Sequence, residues 1–270
     1  MDNEETQNSR RLIDEALVDT PIENTLRLAW EFIKLNKKFT FTAMGIFVVL
    51  NLFGAIPLLS LVFAVLAAVF TISIQMHVGR TFYGTENIET YIKEIEESRI
   101  DNILTQYSST AFGVYLGWFV LIFIMAFLLA LFGVGSGLLN QNMSQQDMLM
   151  ALASLGLPLL LFVLVLSYVQ PLVYSNIILA NSFGEGFKAV FTIFSKDVWS
   201  SAMQKIYFAY VAKIGLLIMA AVLLAVFAVG LFTMIPFLGL LASIAMLMGM
   251  YVFVVLMAVM SMVARRMVEE

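Results

Sequence analysis

The feature that most constrains this chain is a stretch from Phe39 to Val78 that contains no Asp, Glu, Lys or Arg. An α-helix needs about 20 apolar residues to cross the hydrocarbon core of a bilayer, so this stretch is too long for one crossing and fits two. Uncharged apolar stretches follow at 111–139 and 214–264. Only 13% of the chain is charged, about half the share in soluble domains. We therefore predict an all-α, polytopic membrane protein.

A repeated phrase divides these stretches into spans. "LFGAIPLLSL" at 52–61 returns as "LFTMIPFLGL" at 231–240. Proline favours the first turn of a helix, where its missing N–H costs no hydrogen bond. At Pro57, and again at Pro236, we expect one span to end just before the proline and the next span to begin at it. Pro158 is a third and weaker instance of the pattern. This gives six transmembrane helices as three hairpins. Duplication and independent use of the same turn chemistry both remain open as origins of the phrase.

This organisation divides the chain into seven segments, in which hairpins alternate with cytoplasmic pieces. In chain order they are a cytoplasmic amphipathic arm at 1–38, a hairpin at 39–79, a cytoplasmic amphipathic helix at 80–110, a hairpin at 111–180 with a short outer helix near 145–156, a cytoplasmic interfacial helix at 181–205, a hairpin at 206–264 and a tail at 265–270. The short helices outside the hairpins are expected to be amphipathic, because each must lie against the membrane or the protein.

The basic residues favour one orientation of the spans. All 15 Lys and Arg residues fall outside the predicted outer turns, which carry Asp147 as their one charged residue. By the positive-inside rule, both termini and the long connections at 80–110 and 181–205 face the cytoplasm. The net charge of −4 gives no basic footprint for nucleic acid, so we expect no nucleic-acid partner.

The N-terminal arm predicts a helix that starts after Thr20. Pro21 suits the first helical turn, and Leu26, Trp30 and Ile33 fall near one face. This helix either lies on the inner membrane surface or packs against the protein's own cytoplasmic loops, and the sequence leaves both open.

Two connections are candidate surfaces for a cytoplasmic or membrane protein partner. The helix predicted at 86–108 places Ile88, Tyr91 and Ile95 near one stripe and carries an acidic opposite face. Such a face is poorly suited to anionic lipid, but an acidic face can also be merely solvated. The connection at 184–199 is rich in Phe and is either an in-plane interfacial helix or a coupling helix for a cytoplasmic ATPase.

Several kinds of chemistry lack their residues. The chain has no Cys and one His, His77, so thiol catalysis and thiolate metal sites are excluded and a histidine pair cannot form. The predicted span interiors contain no Asp or Glu, which argues against a carboxylate proton relay. We therefore expect no cofactor, no metal and no enzymatic activity.

Polar residues within the spans form the one candidate site. They either make hydrogen bonds between helices or line a polar cavity that binds or passes lipid or a small amphiphile. The candidate residues are Asn51, Gln75, Ser167, Tyr168, Gln170, Pro171 and Asn176. Pro171 should kink its helix and free a carbonyl group there.

Paired glycines in the third span favour close helix packing. Gly113 and Gly117, and then Gly133 and Gly137, have the small-xxx-small spacing that lets two backbones approach. These pairs serve either packing within the six-helix bundle or a homo-oligomer.

The stretches "YSNIILANSFGEGFKAVFTIFSKDVW" and "MIPFLGLLASI" resemble a loose set of bacterial six-span proteins. This set comprises the YciC-like group and the membrane domain found beside some glycerophosphodiesterases. The resemblance covers the C-terminal part of the chain and implies a location in the bacterial inner membrane. That group has no agreed activity, so it implies no functional residues.

These observations favour a non-enzymatic inner-membrane protein that acts as an accessory or scaffolding component of a membrane process. The alternative is a permease subunit that moves a lipid or small amphiphile and couples to a cytoplasmic partner.

The predicted orientation can be tested directly, because the chain contains no cysteine. In intact cells, a membrane-impermeant maleimide should label Ser144→Cys and should leave Ser195→Cys unlabelled until the cells are lysed. The reverse pattern would exclude cytoplasmic termini.

Overall fold

The computed structural model describes residues 12–18, 20–135, 144, 156–232 and 235–269. Every regular element in these ranges is a helix. In chain order they are α1 (Leu12–Val18), α2 (Pro21–Leu35), α3 (Lys37–Gly54), α4 (Ser60–Gly84), α5 (Ile88–Glu97), α6 (Ile100–Gly135), α7 (Gly156–Leu179), α8 (Phe183–Val190), a 3-10 helix (Phe191–Phe194), α9 (Lys196–Ala202), α10 (Lys205–Phe232) and α11 (Pro236–Glu269). An outer helix was predicted near 145–156. Residues 145–155 lie outside the described residues, and α7 begins at Gly156.

Six helices are long and apolar enough to span a membrane, which confirms the predicted class. They are α3, α4, α6, α7, α10 and α11. The helix α6 has 36 residues, or about 54 Å at 1.5 Å per residue. This exceeds the roughly 30 Å of the hydrocarbon core, so one end of α6 extends beyond it.

The prolines mark helix starts at two of the three predicted places. The helix α11 begins at Pro236, and Pro158 lies in the first turn of α7. The helix α4, however, begins only at Ser60, so the prediction that it begins at Pro57 is wrong. The reason is local, because the backbone N–H of Leu59 bonds to the carbonyl three residues earlier and closes a tight turn around the proline.

The buried core lies at one end of the bundle, where the spans meet the short helices, and we call this the packed end. Its fully buried side chains include Phe32 of α2, Phe82 of α4, Tyr91 of α5 and Tyr207 of α10. Towards the opposite end, residues 219–227 of α10 are exposed on every face. Apolar side chains are stable there only in lipid, so the cooperative core belongs to the packed end.

The helix α8 crosses α6 at very close range through small residues. A Cβ atom on Gly113 would lie 2.1 Å from the carbonyl oxygen of Phe183, and one on Gly186 would lie 2.5 Å from that of Thr110. Gly117 also faces α8. The first predicted glycine pair therefore packs within the chain, so this face of α6 is covered. Gly133 falls in α6, and Gly137 lies outside the described residues.

The helix predicted at 86–108 is divided at Ser98, whose backbone is extended. The Asn36 amide nitrogen donates to the carbonyls of Ile95, at 2.8 Å, and Ser98, at 3.1 Å. The Asn36 amide oxygen accepts from the backbone N–H of Phe39, at 2.9 Å. One side chain thus caps the end of α5 and the start of α3, and fixes the break between α5 and α6.

The segment predicted at 184–199 is likewise divided into α8, a 3-10 helix and α9. Ser195 has an extended backbone, and its hydroxyl accepts from the N–H of Asp197 and so caps α9. The indole N–H of Trp199 donates to the carbonyl of Ile193 at 2.8 Å, which folds the segment back on itself.

The N-terminal arm packs against the protein. Leu28 and Phe32 of α2 are buried against the core, and α2 contacts α11, α5, α10 and α3. Leu26 and Trp30 remain exposed, Trp30 at 53%. The packing face is thus offset from the predicted stripe.

Neighbouring spans pack together at both ends of the sequence, α3 with α4 and α10 with α11. Within the described residues, α6 packs chiefly on α4 and α8, whereas α7 packs on α11, α8 and α4. The helices α6 and α7 meet through side chains such as Trp118 and Tyr174, whose ring centroids are 6.3 Å apart. The arrangement as three hairpins stays a prediction.

The contact between α6 and α8 predicts a sharp difference between neighbouring glycines. Gly113→Ala and Gly186→Ala should each lower stability by about 1–3 kcal/mol, because the added methyl meets a backbone oxygen that cannot move alone. Gly184→Ala is the matched control, since a Cβ there meets nothing within 4 Å. Thermal unfolding in mild detergent should show a loss of about 2–4 °C per kcal/mol for the first two variants. Equal midpoints for all three would contradict this packing.

Candidate functional site

The polar end of α7 meets the last two turns of α11 at the packed end. The side-chain amide of Asn176 donates to the Thr192 hydroxyl at 3.2 Å and accepts from an Arg265 guanidinium N–H at 3.0 Å. Arg265 also forms an ion pair with Glu269, with Nε and Oε1 2.6 Å apart. Asn176 therefore joins α7 to both the 3-10 helix and α11.

A cavity of about 210 Å³ lies beside this network, between α7, α9 and α11, and we call it the polar pocket. Its apolar lining includes side chains of all three helices, and its polar lining comes from Ser175, Asn176, Asp197, Ser201, Arg265 and Glu269. The formal charges are two carboxylates and one guanidinium. Among the described lining residues, carboxylates thus outnumber cations, and the guanidinium is already paired with Glu269.

The aromatic residues of α7 fasten it to α9 and α10. The Tyr168 hydroxyl donates to the carbonyl of Ala202, and the Tyr207 hydroxyl donates to the carbonyl of Tyr168 at 2.6 Å. The two tyrosine rings meet edge to face, 5.3 Å apart. Tyr168 is therefore committed to helix packing.

The remaining predicted site residues are spread over three helices. Asn51 donates to the carbonyl of Phe47 in its own helix, α3, at 2.8 Å, and Gln75 is buried in α4. Ser167 is exposed on α7. None of these three lines the polar pocket.

Two predicted residues remain within α7 itself. Gln170 interacts with Tyr174 one turn further along. Pro171 is buried inside α7, which continues to Leu179. Of the predicted candidates, the structure thus brings only Asn176 into the polar pocket.

Sequence reasoning missed the residue that joins three spans, Arg80. Its guanidinium donates to the carbonyl of Ile178 at 2.7 Å and to that of Ala180. It also lies 5.2 Å from the centre of the Tyr107 ring. A cation suits the carbonyl end of a helix, so Arg80 of α4 closes α7 while contacting α6. The sequence shows that Arg80 follows an apolar stretch. It does not show which carbonyls Arg80 binds, because they lie about a hundred residues later in the chain.

The single histidine, His77, lies at a contact between helices. His77 Nε2 lies 2.7 Å from the Ser98 hydroxyl. The rings of Phe32, Phe39 and Tyr107 surround the imidazole at 6.0–6.2 Å between centroids. This environment holds the start of α6 against α4.

Outside the spans, burial raises the pKa of Tyr91 well above its usual range, and the nearby Glu31 carboxylate adds to the shift. The neutral Tyr91 hydroxyl donates to the carbonyl of Leu28 at 3.3 Å and joins α5 to α2. The described residues contain no group of three or more His, Asp or Glu side chains placed to hold a metal ion.

Comparison of the chain with protein families, curated proteins and solved structures finds no match. The YciC-like resemblance therefore stays a prediction.

The hydrogen bonds of Asn176 predict that its side chain contributes more to the stability of the protein than that of Asn51. Asn176→Ala removes the acceptor of Arg265 and the partner of Thr192, so it should lower stability by about 1–3 kcal/mol. Asn51→Ala makes the same chemical change at an amide whose hydrogen bond, among the described residues, is to its own helix, and should cost less than about 0.5 kcal/mol. Thermal unfolding of both variants in one detergent measures the difference. Equal losses would exclude a linking role for Asn176.

Proposed function

We propose that this protein is a non-enzymatic, multi-pass protein of the bacterial inner membrane that acts as an accessory or scaffolding component of a membrane process. Both termini and the short helices face the cytoplasm in this proposal, in keeping with the distribution of Lys and Arg. The protein would present the packed end to a partner protein.

The observation that carries this proposal is the single core that unites the short helices of the described residues with the spans. Arg266 of α11 forms an ion pair with Asp14 of α1, with Nε and Oδ1 2.5 Å apart. The backbone N–H of Leu12 donates to the carbonyl of Thr85 at the end of α4. These contacts order the short helices without a partner. A partner would therefore bind a surface that is already formed.

The outer face of α5 is the part of this surface with the clearest chemistry. Glu89, Glu96 and Glu97 of α5 are exposed, away from the buried Tyr91, and Glu86 just before the helix is exposed as well. Partial burial, and next the charge of Glu97, raise the pKa of Glu94 on the same helix. Such a face attracts a basic partner surface.

We propose no enzymatic activity because the residues that could take part in catalysis already bond to other side chains. His77 is hydrogen-bonded to Ser98 and enclosed by rings, and the acidic groups of the polar pocket lie beside a guanidinium that Glu269 and Asn176 already bind. The permease alternative depends on a polar path along α7. It has less support, because Tyr168 and Asn176 bond to neighbouring elements.

A charge-reversal series tests the proposed partner surface. Glu89→Lys combined with Glu96→Lys and Glu97→Lys should release a co-purifying partner from protein extracted in mild detergent, because like charges would then face each other. The triple Gln variant should weaken the complex less, and Lys93→Glu should strengthen it. Native mass spectrometry gives the stoichiometry of each complex.

Partner binding should also weaken as the pH falls, since Glu94, whose pKa is raised, then becomes neutral and the face loses negative charge. A set of co-purifying proteins that does not change across the series would contradict the proposal.

A further inference from the structure

A groove of about 630 Å³ runs between the start of α2 and the first turns of α10. Leu17, Leu26, Ile206 and Met267 give it an apolar lining. Its volume lies within the usual range for small-molecule sites, about 300–1,000 Å³. We call it the arm groove.

Buried hydrogen bonds fix one wall of the arm groove. The Thr25 hydroxyl donates to the carbonyl of Pro21 at 2.6 Å, so its single proton is in use. The Tyr210 hydroxyl, 2.8 Å from the Thr25 oxygen, must then be the donor in the bond between them. This bond holds α2 against α10, and the groove is therefore formed in the absence of a ligand.

The arm groove carries one charge of each sign. Lys213 of α10 and Glu23 of α2 both line it, both are exposed, and neither forms an ion pair within the described part of the chain. Lys213 lies on the same face of α10 as Ile206 and Tyr210, at helical spacing. It stands about 12 Å along α10 from Lys205, at 1.5 Å per residue.

These positions place a cation and a carboxylate where an apolar groove meets the membrane surface. The next residues of α10 that point outward, such as Leu216 and Leu217, are apolar and exposed. The stem of Lys213 can lie along the groove with its ammonium group at headgroup level. Lys213 can then bind an anion and Glu23 a cation.

We propose that the arm groove binds a phospholipid whose headgroup contains a primary amine, such as phosphatidylethanolamine. One acyl chain lies along Leu26 and Ile206, the phosphate meets Lys213 and the ammonium group meets Glu23. This site is separate from the acidic face of α5, so the proposal does not depend on the proposed partner.

The test uses the full chain, stripped of lipid in detergent and titrated with defined lipids under native mass spectrometry. The wild type should bind phosphatidylethanolamine more tightly than phosphatidylglycerol, which has no amine, or phosphatidylcholine, whose quaternary ammonium group has no N–H to donate to Glu23. Lys213→Met should weaken all three lipids by about fivefold, the effect of one basic residue near a membrane surface. Lys213→Arg keeps the positive charge and should bind the lipids as the wild type does. This result would show that the site tolerates a substitution that conserves the charge.

Glu23→Gln should remove the preference for phosphatidylethanolamine while leaving binding of phosphatidylglycerol unchanged. Lys205→Met, on the same helix outside the arm groove, and Glu86→Gln are the matched controls and should behave as the wild type. Equal binding of all three lipids by the wild type, or equal effects of Lys213→Met and Lys205→Met, would overturn the proposal.

Discussion

The structure depends on how the polar groups at the packed ends of its helices are satisfied. The last carbonyls of a helix have no partner within it, and in or beside a bilayer water cannot be relied on to supply one. Arg80 bonds to the carbonyls of Ile178 and Ala180, which close α7, while its guanidinium lies over Tyr107 of α6. One side chain therefore fixes α4, α6 and α7 relative to one another. Asn36 does the same for α5 and α3.

With those ends fixed, the close crossing of α6 and α8 follows. The connection after α7 has to pass near α6, and only glycine lets the two backbones approach as closely as they do at Gly113 and Gly186. This contact occupies the face of α6 that would otherwise suit a second copy of the chain. Beyond α8, Thr192 of the 3-10 helix bonds to Asn176, which also lines the polar pocket.

The sequence was sufficient for features that depend on local pattern. Uninterrupted apolar length predicted the six candidate spans, and proline chemistry predicted the start of α11 at Pro236. The break at Ser98 could not be predicted, because it is held by Asn36, about sixty residues earlier in the chain. For the candidate site, the sequence named Asn176 as one of several polar residues within the spans. It could not show that Asn176 meets Arg265, since no periodic pattern links residues so far apart.

The distribution of burial connects these features to function. At the packed end, the helix ends at Arg80 and Asn36, the buried tyrosines and the ion pair between Asp14 and Arg266 all hold the short helices in place. At the opposite end, helices such as α10 expose apolar side chains on every face and need lipid around them. Specific recognition requires fixed groups, which the packed end supplies in the form of charged surface and a preformed groove. The spans would then serve chiefly to hold this surface at the membrane, which is the property that an accessory or scaffolding protein requires.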